Sequence, residues 1–411
     1  MRGLARRVGS RFRALLGGDS ATFRQGLAAL LVSSGGDLLA GLTLGAITGT
    51  LADLPGLLVL VPAAIGMRGN IFGALGSRLG TSIHAGTFSL SRRAETIVGQ
   101  NIIASMALTL SVSFALAILA KAVSIGFGLP HTISVGYFVV ISIVGGTISS
   151  IFVLLLTLGV AAASVRFGWD MDNVAAPLVT AAGDMVTLPS LFLATFIVGP
   201  GVVTPILAIV LSALAVAALV AAFRSGLPIA LRILRESVPI LMIAGLIDVV
   251  AGLTIEKRLE SFLAFPALLV LVPPFLEDTG ALGGILSARL ASKLHLGTIE
   301  PGNVPPRAAR DDFVLIFVFA VPVFTLVAVS SDIAASVAGL ASPGVVKMVA
   351  ISLLGGFMAT VVAIFIVYYG AIATYRLGLD PDNHGIPLIT SSMDLVGAFA
   401  LIIAIVLVGL H

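Results

Sequence analysis

The sequence predicts an all-α polytopic membrane protein, two parallel five-helix repeats joined by a linking transmembrane helix, with about 11 spans at ~20 residues per crossing. Three observations carry this prediction. Of the 411 residues, 58% are hydrophobic and 10% charged, against ~25% charged in soluble domains. Apolar stretches of bilayer length follow one another from Ala21 to the C-terminus, without the ~10-residue segments of alternating polarity that mark a membrane β-barrel. Finally, "PGLLVLVPAAIGMRGN" at Pro55 returns 211 residues later as "PALLVLVPPFLEDTGA" at Pro266.

The elements follow in order. In residues 1–22, Leu4, Val8, Phe12 and Leu15 share one helical face, with Arg6, Arg7, Arg11 and Arg13 largely on the others. This reads as a cytoplasmic amphipathic segment in the interface of an anionic leaflet, although an Arg-rich, acid-free start also suits an organellar transit peptide. The first repeat, 23–200, is expected to span at 23–49, 53–80, 96–121, 132–165 and 174–198. A linking helix and loop occupy 201–236, with the apolar run at 202–223. The second repeat, 237–411, is expected to span at 237–256, 264–290, 312–338, 345–375 and 384–410. Five crossings leave the chain on the opposite side and the sixth returns it, so both copies enter in one direction.

Basic residues agree with that topology. With the N-terminus cytoplasmic and the C-terminus outside, Arg78, Arg166, Arg224, Arg289, Lys293 and Arg376 fall inside; only Lys121, Lys257, Arg258 and Lys347 fall outside, and Arg68 lies within a span. That is the positive-inside distribution of a multi-pass cell-membrane protein. The repeats are then parallel, related by an axis along the membrane normal. Asp37 matches Asp248, and "WDMDNVAAPLVTAAGDMV" from Trp169 matches "LDPDNHGIPLITSSMDLV" from Leu379.

Cysteine is absent, which removes disulfides and thiolate metal sites, and any bound metal must use oxygen or imidazole. A net charge of +3 without a basic groove points away from nucleic acid.

Carboxylates inside spans cost at least ~2.5–3.5 kcal/mol each, so they mark function. They are Asp37, Asp184, Asp248, Glu277, Asp278 and Asp394. Asp184 lies ~16 Å into its span at helical rise, near the midplane, and Asp394 is its equivalent. Asn173, Pro177, Thr180 and Asp184 recur as Asn383, Pro387, Thr390 and Asp394, a stripe of oxygen ligands on one helical face. Pro62, Gly66, Gly69 and Gly73, and Pro273, Pro274, Gly280, Gly283 and Gly284 in the second copy, are expected to break their spans near the same depth and expose backbone carbonyls. An all-oxygen site of this kind suits a hard divalent cation, foremost Mg²⁺ retaining much of its water. The structural alternative for each acid is to cap a helix break or pair with a buried Arg. Asp172 and Asp382 read as N-caps. His84 and His295, near the cytoplasmic edge, read as structural hydrogen-bonding groups. Glu277 and Asp278, which replace Gly66 and Met67, are expected either to form a second cation site or to pair with Arg68 across the two halves.

"GMRGNIFGALGSRLGT" and "APLVTAAGDMVTL" resemble the motifs of the MgtE magnesium channel superfamily, especially its two-repeat branch, solute carrier family 41. The resemblance covers nearly the whole chain. It implies a Mg²⁺ channel or carrier with two MgtE-like repeats, Asp184 and Asp394 as the pore aspartates, and Gly66 and Asn70 in a broken-helix motif. It further implies that Mg²⁺ is the transported ion rather than a cofactor, that the lipid bilayer is the surrounding partner, and that one chain works as a monomer with an internal pseudo-dimer. Two departures stand out. Bacterial-type MgtE channels carry cytoplasmic sensor domains ahead of the membrane part, whereas residues 1–22 alone precede the first span, so gating by such domains is not expected. The second copy also has Ala281 where the first has Asn70. An exchanger of the cation for Na⁺ or H⁺ fits the same residues. An intramembrane aspartyl protease would also place two Asp on helices, but its Tyr-Asp partner motif is absent, and no enzyme is expected.

Overall fold

The computed structural model describes residues 20–91, 93–129, 131–167, 171–377 and 386–410, apart from the side chains of 20–32, 171–177 and 386. The amphipathic reading of 1–22 and the roles expected for Asp172, Asn173, Asp382, Asn383 and the Pro177 ring lie outside this description. The first repeat comprises α1 (Ser20–Ala46), α2 (Thr48–Asp53), α3 (Leu57–His84), α4 (Ile97–Gly126), α5 (Val135–Phe167) and α6 (Met171–Thr195). Then comes α7 (Val203–Arg224). The second repeat comprises α8 (Pro228–Glu256), α9 (Leu259–Ala264), α10 (Ala267–His295), α11 (Arg307–Val337), α12 (Val345–Leu377) and α13 (Ile386–Leu407). Among the described residues, ten helices are long and apolar enough to cross a membrane. The remaining expected span, 23–49, is helical as α1. The protein is an all-α polytopic membrane protein.

The duplicated apolar run explains the centre of the fold. Leu57 to Ala64 in α3 and Ala267 to Leu276 in α10 are buried at every position. A helix that is hydrophobic all round must be enclosed by others, and α3 and α10 are the two enclosed helices. The breaks expected in them do not occur. Both run as continuous α-helix through Pro62 and through Pro273 and Pro274. An interior proline removes one hydrogen bond and costs ~3 kcal/mol in an exposed helix; here neighbouring helices pack around all three prolines and hold the backbone on course.

The helix that covers the expected span 237–256 starts earlier than the apolar run. α8 begins at Pro228, not near 237, because its first turns are amphipathic: Ala230, Ile233 and Leu234 are buried while Arg232 and Arg235 are exposed. Pro228 takes a position near the helix start where no N–H is needed. The Gln100 Oε1 accepts the N–H groups of Ile229 (2.9 Å) and Ala230 (3.4 Å), capping the end.

The first helix of each repeat packs on the other repeat. α1 lies against α10 and α11, and α8 against α3 and α4; each also meets the last helix of its own repeat, α6 and α13 respectively. The contacts are reciprocal. A Cβ at Gly41 in α1 would fall 2.2 Å from the Val270 carbonyl oxygen in α10, and one at Gly252 in α8 would fall 2.6 Å from the Val59 carbonyl oxygen in α3. Gly41 and Gly252, and likewise Val59 and Val270, are repeat equivalents, and such exchange is what a two-fold relation produces. Glycine at these crossings lets the backbones touch. The linking helix α7 packs on α4 and α5 through Thr204, Ala208, Ala215 and Ala222, a small-residue stripe flanked by Leu207, Leu211 and Leu219, and leaves its Ile and Val side chains outward.

Candidate cation site

Six helix-borne carboxyl groups meet where the two halves join. Asp37 on α1 and Asp184 on α6 approach each other, and Asp37 also interacts electrostatically with Glu277 and Asp278 on α10. Asp394 on α13 interacts with Asp248 on α8, with Glu277 and with Asp184. The helix exchange creates this meeting, because α1 and α8 carry Asp37 and Asp248 into the opposite half. Relative exposure is 1% for Asp37, 2% for Asp184 and 0% for Asp248 and Asp278; Glu277 and Asp394 are partly buried.

The surroundings satisfy these groups unevenly. The Ser34 hydroxyl reaches both Asp278 oxygens at 3.1 Å. Ser391 faces Asp248, and Asp37 and Asp184 face each other closely enough to share a proton, but no other donor reaches either Asp248 oxygen, either Asp37 oxygen or Asp184 Oδ2. A buried polar atom left unpaired costs about 1–3 kcal/mol, and a buried charge more, so these oxygens call for a proton, a water or a cation. Backbone approach is closest at Gly66 of α3, where a Cβ would lie 2.9 Å from Asp248 Oδ2 and 4.0 Å from Asp394 Oδ2; at Gly280 of α10 it would lie 3.9 Å from Asp394 Oδ1. Among the described residues, no three histidine or acidic side chains group closely enough to hold a metal ion.

The structure gathers all six acids expected from the sequence, and places Gly66 among them. Asn70 is partly buried one turn along α3. Thr180 and Thr390 are partly buried one turn before Asp184 and Asp394, and the Thr390 hydroxyl donates to the Pro387 carbonyl (3.1 Å). His295 is structural, its Nδ1 2.9 Å from the Ala291 carbonyl oxygen. Arg68 departs from expectation. It turns away from Glu277 and Asp278 into the α4–α5 interface, where Nε donates to Ser149 (3.2 Å), Nη2 to Ser113 (3.3 Å) and Nη1 to the Ala64 carbonyl (3.2 Å). Gly146 leaves the space for its guanidinium, since a Cβ there would be 2.1 Å from Nη2. Among the described residues no carboxylate pairs with it. Hydroxyls and a carbonyl near a glycine gap outcompete the distant acids.

Ser34 and Ser391 were missed from the sequence. Each stands three residues before an aspartate, in "SGGD" and "SSMD", and so on the same helical face. Their repeat equivalents, Gly245 and Ala181, carry no hydroxyl, so comparing the copies hid the signal.

A family model described as MgtE, divalent cation transporter, matches residues 61–194 and 272–404, once in each repeat. Solute carrier family 41 member 3 of Rattus norvegicus is 25% identical over 92% of this chain and 85% of its own length. The Mus musculus member 3 is 27% identical over 84% and 74%. Solute carrier family 41 member 2 of Homo sapiens is 25% identical over 82% and 62%. No solved structure gives a significant match.

Proposed function

Because the chain belongs to the MgtE family of divalent cation transporters, we propose that it carries Mg²⁺ across the cell membrane along a path between its two halves, with Asp184 and Asp394 as the principal pathway ligands. Asp37, Asp248, Glu277, Asp278, Thr180, Thr390, Gly66 and Asn70 line or shape that path. The observation that supports this reading is the set of buried carboxyl oxygens without partners at the junction of the halves. A divalent ion 5 Å from one carboxylate gains on the order of 7 kcal/mol at an effective dielectric constant of ~20, which offsets partial dehydration without forming a trap. The protease alternative falls away, since the family transports cations and is not enzymatic. The N-terminus is cytoplasmic and the C-terminus outside in this proposal, and one chain suffices, because the repeats already supply both halves of the path.

The test is Mg²⁺ uptake by proteoliposomes containing Asp184→Asn, Asp394→Asn and the double variant. An amide binds a hard dication far more weakly than a carboxylate, so each single variant should lose about tenfold or more in uptake at low Mg²⁺. Wild-type uptake by the double variant would overturn the assignment. Repeating wild-type uptake with and without Na⁺ and pH gradients separates a channel from an exchanger.

A further inference from the structure

The linking helix α7 packs against α4 and α5 but only touches α8, its neighbour in the chain. The gap left between α4, α7 and α8 is a groove of about 210 Å³, walled by Val112 and Phe114, Val216 and Leu219, and Val238 and Met242. The Ser111 hydroxyl on its wall donates to the Ala107 carbonyl (2.7 Å) and so offers nothing to an occupant. Val216 is 51% exposed, which places the groove on the outer face of the helix bundle, open to the bilayer. An apolar gap there forfeits dispersion contacts along its walls unless hydrocarbon fills it.

A second hollow, of about 390 Å³, lies at the start of α8 and is walled by Pro228, Leu231, Arg232, Arg235 and Glu236. Leu231, Arg235, Val238 and Met242 follow at spacings of four, three and four, so a single stripe of α8 runs from the hollow into the groove. From Arg235 to Met242 is about 10 Å at helical rise, within the ~15 Å of hydrocarbon in one leaflet. The hollow is rich in positive charge. Arg232 Nε meets Glu236 Oε1 at 2.9 Å, and Arg78, whose Nε donates to Asn101 (2.8 Å), also interacts with Glu236. Among the described residues Arg235 pairs with no acid, and neither does Arg224 at the end of α7. Arg78, Arg232 and Arg235 around Glu236 therefore leave an excess of positive charge at the depth where phospholipid head groups lie.

We propose that a phospholipid of net negative charge seats here, its head group held by Arg232 and Arg235 and one acyl chain laid in the groove between α4, α7 and α8. Basic pockets at the ends of membrane helices select anionic head groups, because a zwitterionic one brings its own cation against the guanidinium groups. The lipid supplies the contact that α7 and α8 do not make directly, and so steadies α8, the helix that crosses onto the first half. A second copy of the chain suits this edge less well, since two-fold docking would set the same arginines against each other. The proposal is independent of the cation pathway.

Native mass spectrometry of the purified full-length protein, titrated with phosphatidylglycerol or with phosphatidylcholine of the same acyl chains, tests this. Wild type should retain phosphatidylglycerol at concentrations at least tenfold below those needed for phosphatidylcholine. Replacing Arg232→Gln and Arg235→Gln together, at exposed positions that the fold does not need, should remove that preference. Val216→Trp, which fills the groove from its lipid-facing rim, should weaken retention of phosphatidylglycerol tenfold or more while the arginines remain. Glycerol phosphate, a head group without chains, should leave the bound lipid in place. Equal retention of the two lipids by wild type, or an unchanged preference in the double arginine variant, would overturn the proposal. Unchanged retention in Val216→Trp would reject the groove as the seat of the acyl chain, and displacement by glycerol phosphate would reject a lipid in favour of a free phosphate. A lipid-free dimer as the species held at this edge would reject it in favour of a second copy.

Discussion

Replacing Gly66 by alanine adds one methyl group at the closest backbone approach to the acids. The new Cβ would stand 2.9 Å from Asp248 Oδ2, whereas ordinary contact begins at 3.4 Å. The carboxylate must then retreat by about half an ångström. Overpacking of this kind costs about 1–3 kcal/mol, and alanine returns about 1 kcal/mol in a helix interior, so net destabilisation should be only ~0–2 kcal/mol. The larger effect should be functional. If about 1–2 kcal/mol of strain appears as displacement of Asp248 from its cation, divalent affinity should fall roughly 5–30-fold. Gly73 is the reference position, on the same helix with nothing within 4 Å of its added Cβ. Gly73→Ala should raise stability by up to about 1 kcal/mol and leave uptake unchanged. The assay is the half-saturating Mg²⁺ concentration for proteoliposome uptake, alongside thermal melts in detergent. A Gly66→Ala variant with wild-type half-saturation would refute the placement of Gly66 at the site.

Two further predictions concern buried polar groups that hold the helices in place. Glu256 at the end of α8 accepts the N–H groups of Gly56 (2.7 Å) and Leu58 (3.1 Å) at the start of α3; Glu256→Gln retains one acceptor and sets an amide NH₂ against the other N–H, which should cost about 1–3 kcal/mol in chemical denaturation. Arg68→Lys replaces a planar fork with a point ammonium that cannot serve Ser149, Ser113 and Ala64 together, and should lower stability by about 1–3 kcal/mol by the same measurement; an unchanged midpoint would show that those bonds do not stabilise the native state.

The spans, the duplication and the six acids were legible in the sequence because each follows from local rules. Bilayer thickness sets the length of an apolar run, hydrocarbon penalises a carboxylate wherever it sits, and equivalent residues such as Asp37 and Asp248 betray a repeat by spacing alone. The course of the proline-bearing helices was not legible, since the sequence shows the missing N–H of Pro62 and Pro273 but not the neighbours that hold the backbone helical. Nor was the partner of Arg68, chosen by the gap at Gly146 and by hydroxyls 45 and 81 residues away in the chain. The exchange of α1 and α8 between the halves was equally hidden. Apolar side chains on nearly every face of a helix name no partner, and only the fit of Gly41 against Val270 and of Gly252 against Val59 selects which helix each one meets. That selection decides which acids face one another.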